Sequence, residues 1–137
     1  MDTPFTPLPD WFPTDNAGAG IALADLNGNG LPDTVVLMVD APAGANQGYY
    51  RVGRGADTDG TVDQWSGWTP VPEWFSWENQ GAGIAVADVS GDGTKDLVIF
   101  MIEASDAANA GYYRVGWGLD VDGIVTGGWS PWTQIPD

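Results

Sequence analysis

Neither cysteine nor histidine occurs anywhere in the 137 residues. Without cysteine there are no disulfides, no thiolate metal sites and no cysteine nucleophile. Without histidine, Ser-His-Asp and Cys-His catalysis are excluded, along with most zinc and iron sites. Positive charge is scarce as well: four Lys and Arg stand against nineteen Asp and Glu, a formal net charge of −15. Such a field repels nucleic acid and anionic membranes. No apolar run approaches the roughly 20 residues of a membrane-spanning helix, and the first residues lack the basic-then-apolar pattern of a signal peptide. No segment carries a sustained 3.6-residue apolar period with caps, so no helix is expected.

What the chain does contain is turn and strand material. Twenty Gly and ten Pro punctuate a sequence that is 43% apolar and holds eight Trp and four Tyr. Gly and Pro break helices while Val, Ile, Trp and Tyr favour strands, so the expected class is all-β with many turns. That much aromatic surface excludes a solvated, disordered chain.

The sequence also repeats itself. Pro9-Asp10-Trp11-Phe12 returns as Pro72-Glu73-Trp74-Phe75, and Gly18-Ala19-Gly20-Ile21-Ala22 as Gly81-Ala82-Gly83-Ile84-Ala85. Gly48-Tyr49-Tyr50-Arg51-Val52-Gly53 returns as Gly111-Tyr112-Tyr113-Arg114-Val115-Gly116, each pair 63 positions apart. After Gly123 the offset slips by one residue, so Trp65-Ser66-Gly67-Trp68 answers to Trp129-Ser130-Pro131-Trp132. Each unit offers four strand candidates: Ile21–Leu26 with Ile84–Val89, Thr34–Asp40 with Leu97–Glu103, Tyr49–Gly53 with Tyr112–Trp117, and Trp65–Val71 with Trp129–Ile135. The continuously apolar Val35–Val39 and Val98–Ile102 fit strands covered on both faces.

Four strands per repeat, with sheets stacked on one another, is the pattern of a β-propeller blade. A tandem β-sandwich is the alternative, but it does not require so strict a repeat. The expected division is residues 1–9 as the tail of a preceding blade's outer strand, 10–72 as one blade and 73–137 as the next. Two blades do not close a ring, since rings take roughly four to eight. Head-to-tail assembly with copies of the same chain is therefore expected, three copies giving six blades or four giving eight.

Between the first two strands of each unit lie Asp25-Leu26-Asn27-Gly28-Asn29-Gly30-Leu31-Pro32-Asp33 and Asp88-Val89-Ser90-Gly91-Asp92-Gly93-Thr94-Lys95-Asp96. Oxygen-bearing side chains fall at the first, third, fifth and ninth loop positions: Asp25, Asn27, Asn29 and Asp33, then Asp88, Ser90, Asp92 and Asp96. Glycine at the sixth permits a sharp turn, and the carbonyl of Leu31 or Thr94 at the seventh can complete the set. Calcium takes six to eight hard oxygen ligands, and alternate positions in a tight turn aim their oxygens at one centre. The alternative is an Asx/Gly hairpin that binds nothing. Repetition of the oxygen positions while their neighbours differ favours calcium. Magnesium is disfavoured, because it tolerates crowded all-protein cages poorly.

The segments Ile21-Ala22-Leu23-Ala24-Asp25 through Asp33, and Ile84-Ala85-Val86-Ala87-Asp88 through Asp96, resemble the FG-GAP or VCBS repeats of integrin-α-like β-propellers. The resemblance implies calcium in the first hairpin of each blade and an extracellular setting for the parent protein. It extends to adhesion proteins, secreted bacterial proteins and fungal calcium lectins of the seven-bladed type. The Phe-Gly and Gly-Ala-Pro elements that name the family are not cleanly present.

Trp11, Trp65, Trp68, Trp74, Trp129 and Trp132 recur between units and are expected to pack blade against blade. Trp77 and Trp117 face Thr14 and Arg54 in the other copy, so they are freer to serve a ligand; Asn79 lies close to Trp77. Sugars stack on exposed Trp, which makes carbohydrate a candidate ligand beside an extracellular protein surface. Asp57-Thr58-Asp59-Gly60 and Asp120-Val121-Asp122-Gly123 fit plain hairpin turns better than second metal loops. Arg51 and Arg114 are expected to pair with carboxylates. A glycosidase is disfavoured, as loops and turns account for the acids. The expectation is a calcium-binding, non-catalytic module, with a purely structural unit as the alternative.

Overall fold

A computed structural model describes residues 7–11, 16–40, 46–55, 61–74, 79–103 and 109–136. Among them the regular elements are all strands: β1 (Asn16–Ala24), β2 (Asp33–Asp40), β3 (Gln47–Arg54), β4 (Gln64–Trp65), β5 (Thr69–Pro70), β6 (Asn79–Ala87), β7 (Asp96–Glu103), β8 (Ala110–Gly116) and β9 (Thr133–Gln134). The first five make one antiparallel sheet ordered β1-β2-β3-β4, with β5 also on β3; the others make a second ordered β6-β7-β8-β9. The protein is all-β, and among the described residues no helix is long and apolar enough to cross a membrane.

The sequence repeat is a structural repeat down to register. Ile21 lies opposite Val36 in the first sheet and Ile84 opposite Ile99 in the second. Both inner strand pairs carry the same irregularity, between Asn16 and Gly18 and between Asn79 and Gly81. The apolar run Val35–Val39 is buried throughout, as a strand covered on both faces must be. Of the apolar residues in β7, Leu97, Ile99 and Met101 are fully buried, while Val98, Phe100 and Ile102 keep some exposure.

The fourth strand is more broken than its composition suggests. Trp65–Val71 divides into β4 and β5, and Trp129–Ile135 into a single bridge from Trp129 to Gly116 followed by β9. A serine causes the break. The Val52 N–H donates to Ser66 Oγ at 2.9 Å and the Val115 N–H to Ser130 Oγ at 2.8 Å, a side-chain oxygen standing where a ladder carbonyl would be.

One core holds the two sheets together. Val35, Leu37, Tyr50, Val52 and Val71 of the first sheet cluster with Leu97, Ile99 and Leu119 of the second, flanked by Trp74, Ala82, Ile84 and Val86. At about 25 cal/mol per Å² of apolar surface, this burial is the main stabilising term. The innermost strands touch through small residues: a Cβ at Gly18 would stand 3.2 Å from the Ala82 Cβ. Trp74 crosses the interface and lies flat on Gly48, where a Cβ would come within 2.6 Å of the indole. The Tyr50 hydroxyl donates to the Gly123 carbonyl at 2.9 Å, and burial pushes its pKa up to about 12. Arg54 pairs with Asp122 at 2.7 Å across the same seam, an exposed contact worth under about 1 kcal/mol.

Arg51 and Arg114 do not behave as expected. Their main partners are backbone carbonyls and indole rings, not carboxylates. Arg114 donates from Nε and Nη2 to the Ser130 carbonyl at 2.9 and 2.6 Å, and from Nη1 to the Pro72 carbonyl at 2.6 Å. It lies between Trp129 and Trp132 at 5.2 and 5.3 Å from the ring centroids. Arg51 repeats the arrangement with the Ser66 and Pro9 carbonyls and with Trp65 and Trp68. Burial lowers both guanidinium pKa values, opposed by Asp10 at Arg51 and Glu73 at Arg114. The Glu73 carboxylate is a loose partner, 3.7 Å away and exposed. These clamps fix the residue after each proline, Asp10 at φ 58° and Glu73 at φ 59°, in the left-handed region that side-chain-bearing residues avoid. Trp68 and Trp132 add hydrogen bonds to the Asp10 and Glu73 carbonyls at 3.0 and 2.9 Å. Trp65, Trp68, Trp129 and Trp132 thus grip an arginine of their own unit, Trp129 and Trp132 also flank the shared core, and Trp74 reaches the neighbouring unit.

Candidate metal centre

The two loops connect β1 to β2 and β6 to β7 at the same rim, and each is closed by its first aspartate. Asp25 accepts the N–H groups of Gly28 (2.8 Å), Asn29 (3.2 Å) and Gly30 (2.8 Å). Asp88 accepts those of Gly91 (2.8 Å), Asp92 (3.1 Å) and Gly93 (2.8 Å). The Gly93 bond does most to hold the Asp88 carboxyl below the usual carboxylate range, with Gly91, Asp92 and the Ser90 hydroxyl assisting. A carboxylate offers about four lone-pair sites, so three N–H bonds leave room for a cation. The glycines at the fourth and sixth positions have positive φ, 76° and 86° in the first loop and 77° and 89° in the second. That geometry aims successive N–H groups inward.

The third and fifth positions also point their oxygens into the turn. Asn27 Oδ1 accepts from Asn29 N at 3.1 Å and Asn29 Oδ1 from Leu31 N at 2.9 Å. Asp92 Oδ1 accepts from Thr94 N at 2.8 Å, while the Ser90 hydroxyl reaches Asp88 Oδ1 at 3.4 Å. These contacts preorganise both turns.

Asp33 and Asp96 at the ninth position are placed differently from the rest. Both are 1% exposed and close the loop from beneath. Asp33 accepts the Leu26 N–H at 2.8 Å; Asp96 accepts those of Val89 (2.9 Å), Ser90 (3.2 Å) and Gly118 (2.8 Å). Neither has a Lys or Arg among the described ion pairs. A buried carboxylate answered by backbone N–H groups is a place where a cation supplies missing charge. No three His, Cys, Asp or Glu side chains converge as a metal cluster among the described residues. The structure therefore does not bring Asp88, Asp92 and Asp96 of the second loop together as a three-carboxylate cluster.

The second loop borders a cleft of about 460 Å³ lined by Ser90, Asp92, Thr94, Asp96, Trp117 and Thr126. Trp117 is thereby brought to the loop, a juxtaposition that its unmatched position in the repeat hints at and spacing alone does not. Asn79 opens β6, paired with Glu103 along the backbone, and Trp77 lies outside the described residues. Asp120–Gly123 is a hairpin turn, closed by Gly123 N–H to the Asp120 carbonyl at 3.0 Å; its counterpart at 57–60 lies outside the described residues. Comparison with protein-family models, with curated proteins and with solved structures finds no match in any of the three.

Proposed function

We propose that the chain is a pair of β-propeller blades, each braced by one calcium ion, that completes a ring with copies of itself and acts as a non-catalytic binding module. The observation that carries this reading is the register-for-register structural repeat. Two units of antiparallel strands stack through one core, each with an aspartate-closed loop at the same rim and a buried carboxylate beneath it. Asp25, Asn27, Asn29, Asp33 and the Leu31 carbonyl would hold one ion. Asp88, Ser90, Asp92, Asp96 and the Thr94 carbonyl would hold the other. Calcium supplies charge to the buried ninth-position aspartates and rigidifies the hairpin; no chemical step is assigned to it. An extracellular setting is what the repeat's resemblance to FG-GAP sequences implies.

A carbohydrate is the favoured external ligand, because Trp117 presents an indole beside the oxygens of Ser90, Asp92 and Thr94 in one cleft. Removal of calcium tests the brace. With calcium at about a hundred times its Kd, chelation lowers stability by about 3 kcal/mol per site, seen as a fall in melting temperature. Unchanged melting after chelation contradicts it. A glycan array run with and without calcium tests the ligand, and uniform silence leaves the structural role alone.

A further inference from the structure

The repeat places counterpart residues in the same registers, and what differs is that the faces at the seam between the two sheets are covered while their counterparts are not. Tyr50 is 2% exposed at that seam, whereas its counterpart Tyr113 is 38% exposed. Val71 is 0% exposed and its counterpart Ile135 is 43%. On the opposite side, Ile84 and Val86 of β6 pack on the shared core, while their counterparts in β1, Ile21 and Leu23, are 65% and 63% exposed. The first unit thus leaves open the surface that the second uses to dock, and the second leaves open the surface that receives it.

The receiving surface has a matching hole. Trp74 seats on Gly48 at the internal seam. At the corresponding place in the second unit the Phe100 ring stands 3.1 Å from where a Gly111 Cβ would be, and Phe100, Ile102, Gly111 and Ile135 border an open cavity of about 330 Å³ with room for an indole. The counterpart of Trp74 is Trp11, 38% exposed and held edge-on against Trp68 just as Trp74 is against Trp132. Resting on the blade-pair reading above, the geometry points to one occupant of both surfaces: a second copy of this chain. Its Trp11 enters the cavity beside Gly111, against Phe100 and Ile135. Its Ile21 and Leu23 cover the open face of β7 and β8, and Tyr113 is buried as Tyr50 is. The contact is heterologous, so each copy has one donor and one acceptor face, and a rotation per copy that divides the full turn closes the series as the ring proposed above.

The internal seam also supplies the test. Gly18 faces Ala82 with a Cβ separation of 3.2 Å, near the roughly 3.5–4.5 Å spanned by a disulfide. Shifting both positions by one repeat gives Gly81 of one copy facing Ala19 of the next. Side chains alternate between faces along a strand, so within one chain Ala19 and Gly81 point away from each other. A Cβ at Gly81 meets only the Ile102 side chain at 3.5 Å, an ordinary contact. The chain has no cysteine of its own. Oxidation of the Ala19→Cys, Gly81→Cys double variant, read by non-reducing electrophoresis beside native mass spectrometry, is expected to link chains covalently and reversibly. The Gly18→Cys, Ala82→Cys control is expected to close within one chain. Trp11→Ala is expected to weaken assembly about thirtyfold or more, as for a hot-spot tryptophan, with its circular dichroism kept. A monomer that stays unlinked while the control closes overturns both the docking and the ring. Oligomers of the double variant that form without a disulfide between the two introduced cysteines overturn this pairing and leave the ring reading standing. Links between the two introduced cysteines that form with or without calcium support the pairing, and the calcium brace is read separately from the melting temperature after chelation.

Discussion

Replacing Arg114 by alanine is expected to destabilise the fold by about 3–4 kcal/mol, a large share of the roughly 5–15 kcal/mol available to a domain. Arg114 is 3% exposed, and its guanidinium satisfies the Ser130 and Pro72 carbonyls together. Its loss leaves two part-buried acceptors unpaired, at roughly 1–3 kcal/mol each at most, and empties the space between Trp129 and Trp132. The left-handed turn at Glu73 then loses the clamp on the preceding carbonyl. Arg114→Lys is expected to recover only part of the loss, because an ammonium cannot make the planar fork or stack between two rings. Urea denaturation followed by tryptophan fluorescence reads the effect. An alanine variant within about 1 kcal/mol of the parent rules out the clamp.

Gly123→Ala is expected to cost about 3 kcal/mol, by a different route. Gly123 has φ 81°, where an L side chain costs about 1–2 kcal/mol. A Cβ there also overlaps a Val52 methyl across the seam, adding roughly 1–3 kcal/mol of overpacking. The carbonyl that receives the Tyr50 hydroxyl moves with it. Gly28→Ala is the control: it has φ 76° but nothing within 4 Å, so the conformational cost stands alone. Thermal melts of the two variants should differ by several degrees, and equal melts contradict the steric part of the argument.

The strand pattern, the repeat and the loop oxygens are legible in the sequence because β-branched runs, glycine placement and spacing are local properties. Val35–Val39 reads as a doubly covered strand, and it is one. The break in the fourth strand is not legible, because nothing local marks Ser66 or Ser130 as a substitute for a ladder carbonyl. The arginines mislead for a related reason: nineteen carboxylates are visible in a sequence, whereas the carbonyls of Pro72 and Ser130 look like any others. Asp33 and Asp96 are recognisable as oxygen donors, but their burial beneath the loops comes from the stacking of the sheets. The seat of Trp74 on Gly48 is half visible, since a glycine precedes the Tyr-Tyr pair in both units.

Native mass spectrometry with calcium present tests the central claim most directly, because it counts chains and bound ions in one spectrum. The account predicts a closed species of three or four chains, within the roughly four to eight blades of a ring, carrying one calcium ion per loop. A single chain that stays monomeric and takes up no calcium contradicts it.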